Sequence, residues 1–304
     1  MCRLFGFRSA VPSRTHRSLV EAENAVATQS KRHQDGWGIG WFVNDDAYLV
    51  KSSDAAWACD RFRRVSERLT SHTFIVHVRK ATVGRVDPSN AHPFRFGRWL
   101  FAHNGTLFSF DDIRDWLVAH TDPELANLTL GDTDSEHLFH YLLTHLAEAG
   151  VDRAGHLPSD AALVARVVRT ALAALDAEAV RRGHGRPLTN VLLTDGRIFV
   201  AHRAGLPLFV SSQKRHCADE KTCSAPEKVC LMPRRPDSGK VNHLLVASEP
   251  IGEENRWELI PDGETVALQA NFHLEQIPAP PGWTSPPLPP EIAAACALIP
   301  EPAP

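Results

Sequence analysis

Cys2 is the second residue of the chain, in Met1-Cys2-Arg3-Leu4-Phe5-Gly6-Phe7. A small residue at this position predicts removal of the initiator methionine, which would leave a thiol and a free α-amine on one carbon. A thiol with a pKa of about 8.5 is only a few per cent thiolate at neutral pH, so a local base helps it to act as a nucleophile. An α-amine with a pKa of about 8 suits that task better than a lysine at about 10.4. Taken alone, Cys2 reads more readily as a small buried hydrophobe in a first strand.

Four other polar groups carry chemistry of their own. Arg79, in His77-Val78-Arg79-Lys80-Ala81-Thr82, closes an apolar run, and its guanidinium can fork onto a carboxylate. Asn104-Gly105 follows another short apolar run. A side-chain amide beside a glycine N–H makes an oxyanion hole, because glycine lets the backbone come close. Asp134 opens a helix in Thr133-Asp134-Ser135-Glu136, and Arg32 precedes Gln34-Asp35-Gly36. Each has a plainer reading: a surface arginine, an Asn-Gly turn, a helix cap and a polar loop. His16, His33, His72, His77 and His92 suggest a Cys–His hydrolase, but an amine base makes an imidazole unnecessary, so structural roles are expected for them.

The elements that must position these groups follow from periodicity. Cys2 to Arg8 alternates as a strand, with Cys2, Leu4 and Gly6 on one face. Residues 15–30 read as a helix, and Trp37 to Leu49 as a hairpin turning at Asn44-Asp45-Asp46. Residues 55–69 read as helical. Thr73 to Arg79 is the clearest strand, and Arg98 to Ala102 runs straight into His103-Asn104-Gly105. Helices are expected from an N-cap at Asp111 to His120, from Asp134 to Gly150, and from a Ser159 cap to Gly183. A hairpin with a two-residue turn is expected at Asp195-Gly196, with further strands at 206–210, 241–246 and 265–268. Residues 211–240 read as a long polar loop. From Pro278 to Pro304 proline is dense enough to predict an extended tail without sheet or helix, which gives a domain over 1–277 and a tail over 278–304. Helices interleaved with hairpins, without regular βαβ units, indicate an α+β fold with antiparallel sheets.

The totals exclude several functions. With 304 residues, 43% hydrophobic and 23% charged, the chain has ordinary globular composition. A net charge of −3 gives no field that favours nucleic acid or a membrane surface, and no apolar run is long enough to span a bilayer. No apolar signal segment follows Arg3 and Arg8, so a cytoplasmic location is expected. Gly36-x-Gly38-x-Gly40 lacks the spacing of a nucleotide site, so no cofactor is expected.

The order and company of the motifs say more than any one of them. An N-terminal Cys, then Arg32-x-Gln34-Asp35-Gly36-x-Gly38, Arg79-x-Ala81-Thr82, Asn90-x-His92-Pro93, His103-Asn104-Gly105 and Thr133-Asp134-Ser135-Glu136 resembles the class II glutamine amidotransferases. These are N-terminal-nucleophile hydrolases. The resemblance runs from Cys2 to Leu146 and more loosely through Ala247-Ser248-Glu249-Pro250. Asp35-Gly36-Trp37-Gly38-Ile39-Gly40-Trp41 looks most like the stand-alone branch, which includes γ-glutamyl amidases. The resemblance implies a four-layer αββα sandwich. It implies Cys2 as nucleophile with its own α-amine as base, and Asn104 with the Gly105 N–H as oxyanion hole. Arg79 and Thr82 would hold the α-carboxylate of a glutaminyl group, Asp134 its α-ammonium, and Arg32 would support the N-terminus. The family often carries Trp after this Arg and His after this Thr; here they are Lys80 and Val83. The sandwich takes up the chain to Ile277 and leaves no stretch for a synthase domain. The substrate is therefore expected to be a γ-glutamyl amide, with a separate synthase or amidase protein as the alternative partner.

A rival reading is a metal-binding or regulatory module. His216, Cys217, Cys223 and Cys230 lie in the polar loop and offer one imidazole and three thiols, enough for a tetrahedral zinc site. Their spacing lacks the usual close pair, so no metal is expected.

Overall fold

Alternating apolar residues let each strand bury two faces, one against the other sheet and one against helices. The computed structural model describes residues 2–216 and 239–300. The first sheet joins β1 (Arg3–Arg14), β2 (Trp37–Val43), β3 (Asp46–Ser52), β4 (Thr70–Val78), β9 (Phe209–Ser211), β10 (His243–Ala247) and β11 (Glu258–Leu259) in the order β11-β9-β10-β1-β4-β2-β3. The second joins β5 (Phe94–Phe96), β6 (Trp99–Thr106), β7 (Leu188–Thr194), β8 (Phe199–His202), β12 (Thr265–Leu268) and β13 (Leu274–Ile277) in the order β13-β12-β8-β7-β6-β5. The strand pairings are antiparallel.

Leu4, Ile75, Leu100, Ala102, Leu192 and Phe199 fill the space between the sheets. Gly6 belongs there for a steric reason: a Cβ on it would run into the Phe199 ring. Phe5, Trp37, Ile39, Phe74 and Val76 face the other way, against Leu19, Val26 of α1 (Val26–Gln29) and Phe62 of α2 (Asp60–Arg68). Phe101, Val191, Leu193 and Val200 pack under α3 (Phe110–Ala119), α5 (Asp134–Glu148) and α6 (Ala161–Arg181), with the short α4 (Pro123–Ala126) beside them. The result is the expected four-layer αββα sandwich.

Several local expectations are corrected. Residues 15–30 are not one helix but a π turn at Arg17–Glu21, then α1, then a 3-10 turn at Ser30–Arg32. The break lies at Asn24, held at φ 52°, whose amide donates to Glu249 and to the Pro250 carbonyl. In residues 55–69, a 3-10 turn at Ala56–Ala58 precedes α2. Helix α3 begins at Phe110, after Ser109 in the left-handed region, which leaves Asp111 in the first turn rather than at the cap. Asp160, not Ser159, caps α6, accepting from the N–H groups of Ala162 and Leu163. β7 and β8 are joined by the four residues 195–198, because the Asp195 carboxylate gathers the N–H groups of Arg197 and Ile198. The tail is not wholly extended: α7 (Pro290–Cys296) forms within it. Proline at the first turn costs a helix no hydrogen bond, and Ala293-Ala294-Ala295 favours it. Among the described residues no helix is long and apolar enough to cross a membrane.

Candidate active site

Register brings the chemistry to one end of the first sheet. Arg3 on β1 and Trp37 on β2 both pair with Val78 on β4, so Cys2, Gly36 and Arg79 emerge side by side. The strand ends are tied there: Asp35 N–H donates to the Arg79 carbonyl and Arg79 N–H to the Gly36 carbonyl. The Asp35 carboxylate accepts from Ala81 N–H at 2.8 Å.

Cys2 Sγ lies against the backbone of Lys80. The Lys80 N–H donates to Sγ at 3.3 Å, and the thiol can donate to the Lys80 carbonyl at 3.4 Å. Burial pushes the thiol pKa up, while the Lys80 N–H and the charges of Arg79 and Arg3 pull the other way. Among the described residues both hydrogen bonds of Sγ go to backbone, and none to an imidazole. His33 bonds the Gln29 carbonyl and is held neutral, with its pKa lowered to about 4 by burial and by Arg3. His77 and His92 bond each other. These are the structural roles expected for them.

Asn104 comes from the second sheet and is brought to β1 by Ser248. Its amide donates to Ser248 Oγ at 3.3 Å, and the same oxygen accepts from Leu4 N–H at 2.9 Å. The Asn104 side-chain oxygen, Oδ1, is buried and has no partner among the described residues. Gly105 cannot be another residue: a Cβ there would overlap the Leu188 carbonyl and the His103 ring. His103 is fixed in turn by Leu188 O and Ser135 Oγ, both at 2.9 Å.

Asp134 is the first residue of α5 and is buried. Its carboxylate accepts from Leu107 N–H at 3.0 Å and from the Ser135 hydroxyl at 3.0 Å, so it fixes the turn that follows Gly105. Arg79 is also buried. Its fork points into its own loop, to the carbonyls of Arg85 at 2.7 Å, Val83 at 2.8 Å and Gly84 at 3.4 Å. A cavity of about 560 Å³ opens between that loop and the residues after Gly105, lined by Thr82, Val83, Thr106 and Leu107 among others.

Arg32 sits apart from this cleft. It donates to both oxygens of Glu249, at 3.2 and 3.1 Å. Glu249 is fully buried and also accepts from Arg3 Nε at 2.5 Å and from Asn24 at 3.0 Å. Arg3 in turn donates to the Cys2 carbonyl at 3.1 Å. Arg32 thus reaches the N-terminal strand through Glu249. No local sequence pattern assigns a role to Arg3, Ser248 or Glu249. The available signal is the polar pair Ser248-Glu249 directly after the apolar run Leu244-Leu245-Val246-Ala247. Of the rival metal set, Cys217, Cys223 and Cys230 lie outside the described residues, and His216 is exposed. Among the described residues no cluster of potential metal ligands occurs.

A family model for glutamine amidotransferases class-II matches residues 1–281 of this chain. The probable glutamine amidotransferase DUG3 of Saccharomyces cerevisiae is 26% identical over 303 residues, covering 88% of this chain and 82% of the yeast protein. The gamma-glutamyl-hercynylcysteine sulfoxide hydrolase of Mycobacterium tuberculosis is 39% identical over 74 residues, 24% of this chain and 32% of that enzyme. The solved structure of a glutamine aminotransferase class-II domain protein from Silicibacter pomeroyi aligns with a TM-score of 0.59 at 19% identity. It covers 92% of this chain and 100% of that one, a likeness of fold.

Proposed function

The chain belongs to the class II glutamine amidotransferases, with the N-terminal-nucleophile hydrolase fold, and on that footing we propose that it cleaves a γ-glutamyl amide through a thioester on Cys2. The observation that carries this reading is the convergence of Cys2 and Asn104. They come from different sheets, and Ser248 ties Asn104 to Leu4, two residues beyond the nucleophile.

The reaction then runs on this chain's own groups. The α-amine of Cys2 takes the thiol proton, and Sγ attacks the γ-carbonyl carbon. The oxyanion is held by the Asn104 amide and the Gly105 N–H, donors fixed before the charge develops. The C–N bond breaks as the ammonium returns its proton to the leaving amine. Water, deprotonated by the same amine, attacks the thioester, and glutamate leaves with Sγ restored. Asp134 takes the substrate's α-ammonium, and Arg79 with Thr82 its α-carboxylate. Arg79 would release its longest contact, that to Gly84, to do so. Fixing both ends of the amino-acid head sets the γ-carbon over sulfur, which lowers the entropic part of the barrier. No cofactor is needed.

For the leaving amine, the proposal is a γ-glutamyl peptide or thiol conjugate rather than free glutamine. The mycobacterial relative is named for such a conjugate. Lys80 and Val83 also depart from the residues that usually surround glutamine, and the exposed Lys80 side chain starts from backbone within 3.4 Å of Sγ. The polar loop is the other candidate contact for a larger leaving group, and its residues 217–238 lie outside the described residues. The test is kcat/KM for glutamine beside that for a γ-glutamyl dipeptide, on the purified protein. The dipeptide should be preferred. A preference for glutamine of about tenfold or more, some 1.4 kcal/mol, would point instead to a glutaminase that feeds a separate synthase.

A further inference from the structure

A second cavity, of about 270 Å³, lies on the far side of the second sheet from Cys2. Its floor is Thr189 on β7 and His202 on β8. These are in phase with Val191, Leu193 and Val200, which face the helices, and out of phase with Leu192 and Ala201, which face the other sheet. Its roof is α6, which contributes Arg166, Arg169 and Asp176 along one helical stripe. Trp283 closes the end, held by its indole N–H on Asp262 at 3.4 Å and by the Arg186 guanidinium 5.4 Å from its ring.

The polar groups here are unspent. Asp176 is 8% exposed, and its carboxyl makes no hydrogen bond or ion pair among the described residues. Among the described residues His202 bonds Thr265 through Nδ1 only, and the buried Thr189 hydroxyl bonds nothing. Neither Arg166 nor Arg169 has a carboxylate within ion-pair distance among the described residues. A buried carboxyl without a partner is costly. Burial raises the Asp176 pKa, which stands at about 7 despite the pull of Arg186. A donor placed in the cavity would relieve that cost.

We propose that this cavity is a second binding site, for a small linear molecule with an amine at one end and a carboxylate at the other. The amine meets Asp176, and the carboxylate meets Arg169 with Arg166. Seven residues of helix separate Arg169 from Asp176, a rise of about 10 Å, and a folded-back arginine covers roughly half of it. The two charged ends must therefore be several carbons apart, which favours an ω-amino acid over an α-amino acid. A volume just under the usual range for drug-sized ligands, from about 300 Å³, admits such a molecule and excludes a nucleotide.

Calorimetric titration of the intact protein with γ-aminobutyrate, δ-aminovalerate and ε-aminocaproate tests this, with pentanoate as the carboxylate lacking an amine. Binding should strengthen along the amino-acid series, and pentanoate should bind at least about tenfold more weakly than δ-aminovalerate. Asp176→Asn keeps the shape of the side chain and Arg169→Gln alters a partly exposed one, so both should fold. Each should weaken δ-aminovalerate by about tenfold or more. No heat from any ω-amino acid at about 10 mM, or equal affinity in wild type and a folded variant of either residue, overturns the proposal.

Discussion

Glu249→Gln should unlatch the strand that carries Cys2, the proposed nucleophile. In the wild type, Glu249 and Arg3 form a pair whose side chains are 0% and 5% exposed, at 2.5 Å. Removing one partner of such a pair leaves a buried charge and costs about 3–5 kcal/mol. The contact from Arg32, whose side chain is 48% exposed, adds no more than about 1 kcal/mol. At roughly 2–4 °C per kcal/mol for a chain somewhat shorter than this one, the melting temperature should fall by on the order of 10 °C. Activity should fall too, by about 10–100-fold below the transition, because Arg3 also holds the Cys2 carbonyl and small displacements of a nucleophile are expensive. The pH dependence supplies the sign. Burial raises the Glu249 pKa, but Arg3, Asn24 and Arg32 outweigh it and hold the carboxyl below its ordinary 4.5. A group whose folded pKa is lowered stabilises the protein above its unfolded pKa and loses that contribution as pH falls through the folded one. The gap between wild type and Glu249→Gln should therefore be full at neutral pH and shrink below 4.5. Differential scanning calorimetry at pH 7 and pH 4 reads both effects. A melting temperature within about 2 °C of wild type at pH 7 would show that the pair contributes no net stability.

Intact mass spectrometry of the active protein should show a chain that begins at Cys2; full activity with Met1 retained would remove the α-amine from the mechanism. Cys2→Ala should abolish turnover while leaving the fold, as read by circular dichroism. Asn104→Ala should lower kcat by on the order of 10²–10³, and a change of only a few-fold would make it a framework residue that bonds Ser248. Arg79→Lys and Asp134→Asn should each raise KM strongly, since a point charge cannot reproduce the guanidinium fork and a neutral amide cannot pair an ammonium. If kcat/KM is unchanged in both, the substrate head is held elsewhere.

What the sequence made legible and what it hid differ in physical kind. The strands around Cys2 were readable because burial on one face forces alternation; β4 lies where its apolar run placed it, while β1 continues past Arg8 to Arg14 and β6 past Ala102 to Thr106, so Asn104-Gly105 lies within the strand. The motif order singled out Cys2, Arg79, Thr82, Asn104, Gly105 and Asp134, because those residues sit near strand ends and at a helix start, where local pattern is strong, but it passed over Thr106 and Leu107 in the cavity wall and Ser248 beside Asn104. Residues 15–30 read wrongly because Asn24 serves a distant carboxylate: its partner Glu249 is 225 positions away, and that bond overrides helical propensity. The latch itself stayed hidden for the same reason, since Arg3 and Glu249 are separated by 246 positions and neither belongs to a local period. Arg79 shows a subtler limit. Its place at the strand end was plain, but its type alone did not reveal that its fork is occupied by the carbonyls of residues 83–85. If Arg79 does bind the substrate's carboxylate, binding must reorganise that loop as well as fill it. Substrate should then protect the amides of residues 83–85 from hydrogen exchange more than those of residues 106–108 across the cleft. Equal protection on both sides would mean that the fork stays on its carbonyls and that Arg79 shapes the site without touching the substrate.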